Sequence, residues 1–206
     1  LPYGLNQKVE FKKDFGPLLG ELDLNKISKV DEIDFVQKIL PVYKAISKIF
    51  NNHLTRNKSI IGFVGAPWTL LVYMINQQSP KKKLKENFFK DDFLINRILL
   101  IIEKFLKVHI KNQIDNGADI IQIFDSWAGL LEEKDLPNYV YTPTLNLVNY
   151  VKSLNIPVIC FPREINNYKE FCDIIKPDAV SIDYNVDPKE IIKNIKIPVQ
   201  GGLDPK

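Results

Sequence analysis

Five short stretches of this 206-residue chain gather the small, charged and hydroxyl residues from which a site for chemistry can be built: Gly65-Ala66, Asp125-Ser126, Phe161-Pro162-Arg163, Asp183 and Gly201-Gly202-Leu203-Asp204. Arg163 is the sharpest of them. Its guanidinium offers a planar fork that matches a carboxylate, and its alternative use is an ion pair with Asp125 or Asp183. Those two aspartates are candidates for acid–base work, or else for accepting backbone N–H bonds at the start of the following helix. Ser126 can donate to a ligand oxygen. A serine nucleophile needs a partner base, and neither His53 nor His109 lies near these stretches, so Ser-His-Asp chemistry is not expected. Tyr73 is a candidate ligand hydroxyl or a core side chain with its hydroxyl at the edge. Trp68 and Trp127 either wall a cleft or pack between helix and strand. Cys160 has no His or Cys two residues away, so no metal site is expected.

These residues fall together because of the elements that carry them. Apolar, β-branched runs at Ile60–Val64, Ile120–Phe124, Val158–Phe161, Ala179–Ile182 and Ile197–Gln200 predict five strands, and each candidate stretch stands at or just past a strand's C-terminal end. Near-continuous apolar strands fit a parallel sheet buried on both faces. Pro67 opens a helix directly after the first of them, because a missing N–H does no harm at the first helical position. Helical spacing predicts an amphipathic helix over Asp31–Asn52, with Ile33, Val36, Leu40, Tyr43, Ile46 and Phe50 on its apolar stripe and Pro41 as a kink or break. A second helix spans Phe93–Ile114, with Ile98, Ile102, Phe105, His109 and Ile114 on one stripe and a C-cap signal at Asn116-Gly117. Shorter helices are predicted at Leu145–Leu154, Asn167–Ile175 and Pro188–Ile195. Residues 1–29 read as a loop with one short strand at Val9–Phe11, and Ser79–Asp92 as a solvated charged loop. The βαβαβαβαβ order implies right-handed crossovers and a parallel sheet. No G-x-G-x-x-G follows a strand, which disfavours a doubly wound dinucleotide fold. The central part of a barrel fits better, with its functional face at the strand C-termini.

Composition narrows the class. The chain is 45% hydrophobic and 26% charged, with a net charge of +3 and a pI near 8.7, an ordinary globular balance that predicts one domain. The basic residues are nearly all lysine, and the arginines are Arg56, Arg97 and Arg163. Without a concentrated basic patch, nucleic acid is not an expected partner. No apolar run is long enough to span a membrane. Cys160 and Cys172 sit in apolar contexts and read as free thiols, which fits a reducing cytoplasm. A full barrel takes about 250 residues. The chain begins at Leu1 rather than Met and ends just after a predicted strand, so it is expected to be part of a longer protein.

Gly62-Phe63-Val64-Gly65-Ala66-Pro67-Trp68-Thr69-Leu70, followed by Tyr73-Met74, resembles one signature of the uroporphyrinogen decarboxylase family. Gln122-Ile123-Phe124-Asp125-Ser126-Trp127-Ala128-Gly129 resembles a second. Phe161-Pro162-Arg163 and Gln200-Gly201-Gly202-Leu203-Asp204-Pro205 are similar to two later ones, in order along essentially the whole chain. The resemblance implies a (β/α)8 TIM barrel, of which this chain is an incomplete central portion, and a homodimer. It implies decarboxylation of the four acetate side chains of uroporphyrinogen III to give coproporphyrinogen III in haem biosynthesis, with no metal and no organic cofactor. It places the family's substrate-binding tyrosine and serine on Tyr73 and Ser126. With Arg163, these are expected to converge on one anion-lined cavity.

Three positions depart from the family's pattern. Glu164 stands where the family's Phe-Pro-Arg-Gly has glycine, Gly202 where Gly-Asn-Leu-Asp-Pro has asparagine, and Tyr184 where an aspartate is followed by tryptophan. The family's Arg-Gln-Ala-Gly-Arg segment, its central aspartate and its C-terminal histidine have no counterpart here. The catalytic aspartate is therefore expected outside this chain, and the 206-residue piece alone is expected to be inactive. The implied chemistry protonates a pyrrole, and the resulting cation accepts the electrons released as CO2 departs; a carboxylate among the pyrroles would stabilise it. Two rivals use the same barrel. A corrinoid-linked methyltransferase would carry a zinc-binding His-x-Cys where this chain has Val158-Ile159-Cys160. An inactive barrel would bind tetrapyrroles without turnover.

Overall fold

The structure, a computed structural model, describes residues 1–13, 16–80, 84, 89 and 91–204. Most of the predicted loop at Ser79–Asp92, and Pro205 of the last motif, lie outside the described residues. The chain opens with an antiparallel hairpin of β1 (Val9–Lys12) and β2 (Gly16–Leu19), then α1 (Leu24–Ser28) and α2 (Glu32–Phe50). The hairpin sits over the end of the helix that follows the first sheet strand: Leu19 N donates to Gln77 O at 2.6 Å and Gln7 Nε2 to Met74 O at 2.9 Å. Residue pattern predicts one strand here rather than two, because Gly16-Pro17 reads as a breaker. Pro17 is tolerated in a two-stranded edge pair.

The principal sheet is formed by β3 (Ile61–Gly65), β4 (Ile120–Asp125), β5 (Val158–Pro162), β6 (Ala179–Ile182) and β7 (Val199–Gly201), all parallel and paired in chain order. Between them run α3 (Pro67–Asn76), α4 (Asp92–Asp115), α5 (Thr142–Ser153), α6 (Tyr168–Ile175) and α7 (Pro188–Asn194). A doubly wound sheet reverses its strand order at a switch point. This one does not, which is the winding of a barrel wall. Short 3-10 turns at Ala128–Leu130 and Glu133–Asp135 and a π-helical turn at Pro137–Tyr141 fill the connection from β4 to α5, a stretch for which residue pattern predicts no element.

Strand parity divides the sheet into two faces. Val64, Ile121, Ile123, Val158, Cys160, Val180 and Ile182 are buried with the helices, and Leu71, Ile98, Ile102, Leu106, Leu147 and Phe171 belong to the same core. The register puts Phe63, Gln122, Phe124, Ile159, Phe161, Ser181 and Gln200 on the opposite, inner face. Burial on both faces therefore does not hold throughout: Ile61 is 46% and Phe63 65% exposed. The inner face carries its own contacts. The Phe124 ring lies edge-on to Phe63 and Phe161 at 6.0 and 6.1 Å, and Ser181 Oγ accepts from Gln122 Nε2 (3.1 Å) and Gln200 Nε2 (2.7 Å).

The helices start where their caps allow. Asp31 and Asp91 accept from the backbone N–H three residues on, at 2.8 and 2.9 Å, and Asn167 does the same for α6. α2 continues through Pro41 without a break. Pro41 and Gln37 are both exposed, so the carbonyl that loses its helical donor can face water. The buried stripe of α2 is Phe35, Ile39, Tyr43 and Ile46, displaced from the predicted one; Ile33 and Phe50 are 75% and 54% exposed. In α4, His109 pairs with Tyr43 (Oη to Nδ1, 3.0 Å), and burial lowers the imidazole pKa to about 4. Gly117, at φ +112°, ends that helix as its glycine signal predicts. No helix among the described residues is long and apolar enough to cross a membrane.

Candidate active site

The C-terminal tips of β4, β5, β6 and β7 surround a cavity of about 560 Å3, lined by Phe124, Ser126, Phe161, Arg163, Asp183 and Tyr184, among others. Ser126 and Arg163 reach it because each stands one residue beyond its strand, and those strands are paired with Phe124 opposite Phe161 and Asp125 opposite Pro162. Arg163 N donates to Asp125 O at 3.1 Å, which extends the ladder to the rim. The floor is aromatic and the rim polar, a division typical of small-molecule sites.

Tyr73 does not join this cavity. It lines a second one, of about 540 Å3 and mostly apolar, with Leu70 and residues of the N-terminal hairpin. Its ring lies 6.1 Å from that of Trp127. The structure thus brings Ser126 and Arg163 together on one cavity and places Tyr73 on the other. Two turns into α3, Tyr73 faces the side on which the hairpin packs.

Asp183 works on the loop after β5, rather than on the helix after its own strand. Its Oδ2 accepts from Glu164 N and from Tyr168 Oη, both at 2.6 Å, and its Oδ1 lies 3.7 Å from Arg163 Nε. Asp187 is the residue that caps α7. Tyr168, buried at the first position of α6, is not among the residues that the sequence singles out; an aromatic directly after the Asn167 cap was its available signal. Burial and the adjacent carboxylate push the Tyr168 hydroxyl far above its ordinary pKa, so it stays a donor.

Asp125 points the other way, into the helix layer. Thr69 Oγ1 donates to its Oδ1 at 2.7 Å and accepts from Trp127 N at 3.2 Å. Asp125 therefore anchors the first turn of α3, the helix before it, where Ala66 supplies no side-chain cap. Its Oδ2 has no hydrogen-bond partner among the described residues. Burial pushes its pKa up to about 7, against the smaller pull of its hydrogen bonds. Trp68 is fully buried, donates from Nε1 to Trp127 O at 2.8 Å and lies 5.7 Å from the Tyr139 ring; it packs between α3 and the connection from β4 to α5 rather than lining the cavity.

The rim is less cationic than an isolated arginine suggests. Arg163 Nη2 lies 2.8 Å from Glu164 Oε1, so Asp183 and Glu164 both lie against one guanidinium. Among the described residues no three His, Cys, Asp or Glu side chains are grouped so as to hold a metal ion. Cys160 is buried and Cys172 half-buried, both as free thiols; burial pushes Cys172 up to about 11 and Cys160 higher still.

The family profile described as uroporphyrinogen decarboxylase (URO-D) matches residues 1–206. The uroporphyrinogen decarboxylase of Wolbachia pipientis wMel is 38% identical over 201 residues, covering 96% of this chain and 58% of the relative. That of Rickettsia bellii (strain RML369-C) is 34% identical over 212 residues, covering 100% of this chain and 62% of the relative. The chain thus spans about three-fifths of the length of these curated relatives. Among solved structures, a methyltransferase from Methanosarcina mazei superposes with a TM-score of 0.71 at 17% identity, over 98% of this chain and 60% of that one, a likeness of fold.

Proposed function

The chain belongs to the uroporphyrinogen decarboxylase family, and from that premise we propose that the protein it represents converts uroporphyrinogen III to coproporphyrinogen III. Each of four acetate side chains would lose CO2: the carbon–carbon bond breaks, its electrons pass into a protonated pyrrole, a proton adds at the methylene carbon to leave a methyl group, and the ring proton departs. The observation that carries this reading is the placement of Ser126 and Arg163, from paired strands, on one cavity with an aromatic floor. Arg163 would receive a substrate carboxylate, Ser126 would donate to its oxygen, and Phe124 and Phe161 would lie against the ring system. Tyr73 acts, in this proposal, from the neighbouring cavity across Trp127. Tyr168 and Asp125 position the loops and do not touch substrate, and Asp183, which lines the cavity, holds the loop after β5 and stands beside Arg163.

Residues 1–206 form one partial barrel domain in this reading, and the working protein is a cytoplasmic homodimer. The piece by itself is expected to make no product, because its inner face stands open, with Phe63 65% exposed. The test is anaerobic incubation of the full-length protein with uroporphyrinogen III, with products separated by carboxylate number. Stepwise appearance of seven-, six-, five- and four-carboxylate porphyrinogens supports the assignment. Binding without any loss of CO2 would favour a barrel that holds tetrapyrroles without turnover.

A further inference from the structure

Among the described residues, Glu164 is the non-glycine residue beside the cavity with a positive φ. Its φ is +61°, in the left-handed region that a glycine occupies without strain. The surroundings hold it there: its N–H donates to Asp183 Oδ2 at 2.6 Å, and a Cβ built on Gly129 would come within 2.5 Å of Glu164 Cβ and of Glu164 O. A residue in an unfavourable conformation that its neighbours over-determine is a reason to ask what its side chain does. Here the carboxylate reaches back to the preceding residue, with Oε1 2.8 Å from Arg163 Nη2. The Arg163 and Glu164 side chains are 35% and 48% exposed, so the pair lies at the cavity mouth, where Glu164 has room to swing into water.

Formal charges at this corner are one guanidinium against two carboxylates, Glu164 and Asp183. Asp183 is buried and tied to two further donors, so it cannot leave. Glu164 can. We propose that Glu164 is a displaceable counter-ion for Arg163: it occupies the guanidinium until an incoming carboxylate exchanges with it. The exchange replaces one carboxylate–guanidinium contact by another, so it yields little by itself. Ligands bind only if they make further contacts in the cavity. Glu164 thus lowers the affinity of the site for every carboxylate, and at working concentrations admits polycarboxylates while single-carboxylate metabolites stay out. The choice of a polycarboxylate ligand rests on the decarboxylase reading; the exchange itself rests on the Arg163–Glu164 geometry.

The test measures binding of benzene-1,2,4,5-tetracarboxylate to the full-length protein by calorimetry, for the unaltered chain and for E164Q, E164G, R163Q and E164Q/R163Q. An exposed ion pair is of modest strength, so E164Q is expected to bind the probe about two- to fivefold more tightly at low salt. The gain should shrink toward none near about 1 M salt, where screening is nearly complete. It should vanish in E164Q/R163Q measured against R163Q. E164G should tighten binding to the same extent, since charge and not backbone is at work. Unchanged or weaker binding by E164Q overturns the proposal, as does a gain confined to E164G or one that survives loss of Arg163. The enzyme assignment is scored separately by coproporphyrinogen formation. Product without an E164Q gain overturns the counter-ion alone, and an E164Q gain without product overturns the decarboxylase reading alone.

Discussion

Replacing Asp125 with asparagine should remove a pH dependence that this one carboxyl imposes on the whole chain. Its ordinary pKa is 3.8, and burial raises it to about 7 in the folded protein. Below about pH 4 the group is protonated in both the folded and the unfolded chain and contributes no pH dependence. Between those values the folded state holds a proton that the unfolded state has released, so stability falls as pH rises. Above about 7 both states are ionised and the penalty is constant. A gap of about three pKa units corresponds to about 4 kcal/mol in all, at about 1.4 kcal/mol per unit. Of this, about 3 kcal/mol falls between about pH 5 and 8. For a chain of this size that is on the order of 6–12 °C in melting temperature. The substituted side chain would keep the size of the original and an oxygen for the Thr69 hydroxyl, but it cannot ionise. The unmatched amide adds an offset that does not vary with pH. The measurement is thermal unfolding by circular dichroism of the unaltered chain and D125N at pH 5, 6, 7 and 8. D125N should gain on the unaltered chain by several degrees from pH 5 to 7 and by little beyond. A gap between the two proteins that stays flat from pH 5 to 8 would refute the placement of Asp125 in the helix layer with Oδ2 unpartnered.

Other consequences are quicker to check. E164G should raise the unfolding free energy measured in urea by about 1 kcal/mol, because glycine removes the strain of a left-handed φ. G129A should lower it by about 1–3 kcal/mol: the new methyl meets Glu164 Cβ and the Glu164 carbonyl at 2.5 Å, and that backbone is held by Asp183. T69V should leave the Asp125 carboxylate and the Trp127 N–H each short of a hydrogen bond and destabilise the chain by about 1–3 kcal/mol, with a larger loss at pH 8 than at pH 5. Cys160 should resist a thiol reagent in the native chain and react only on unfolding, whereas Cys172 should react slowly without it.

The sheet was legible in the sequence because its strands are short apolar runs cut off by Gly65, Asp125, Pro162 and Asp183, and the observed strands agree with the expected ones to within about two residues. Their order supplied the parallel topology. What periodicity could not give was phase in α2: Ile33 and Phe50 are as apolar as Phe35 and Ile39, and only packing against α4 decides which pair is buried, with Phe35 and Phe105 rings 4.7 Å apart. The hairpin was missed because Gly16-Pro17 mimics a turn. In the site, a position one residue past a strand was enough to place Ser126 and Arg163. It was misleading for Asp125, which is the last residue of β4 and whose parity sends it into the helix layer with Ile121 and Ile123. Tyr73 lies on a helix, where spacing from the strand does not say which side of the rim it faces. The Glu164 carboxylate drew attention only as the replacement of an expected glycine; that it folds back on Arg163 depends on a backbone angle that residue types alone do not reveal.

The claim on which the rest depends is that Arg163 and Ser126 together receive a carboxylate of a porphyrinogen. Steady-state turnover of uroporphyrinogen III by the full-length protein, by R163Q and by S126A tests it most directly. Coproporphyrinogen III should form with the unaltered protein, with KM raised about tenfold or more in R163Q and less in S126A, since a charged hydrogen-bond partner contributes more than a neutral one. Equal KM values in all three proteins, with product formed at the same rate, would contradict the account.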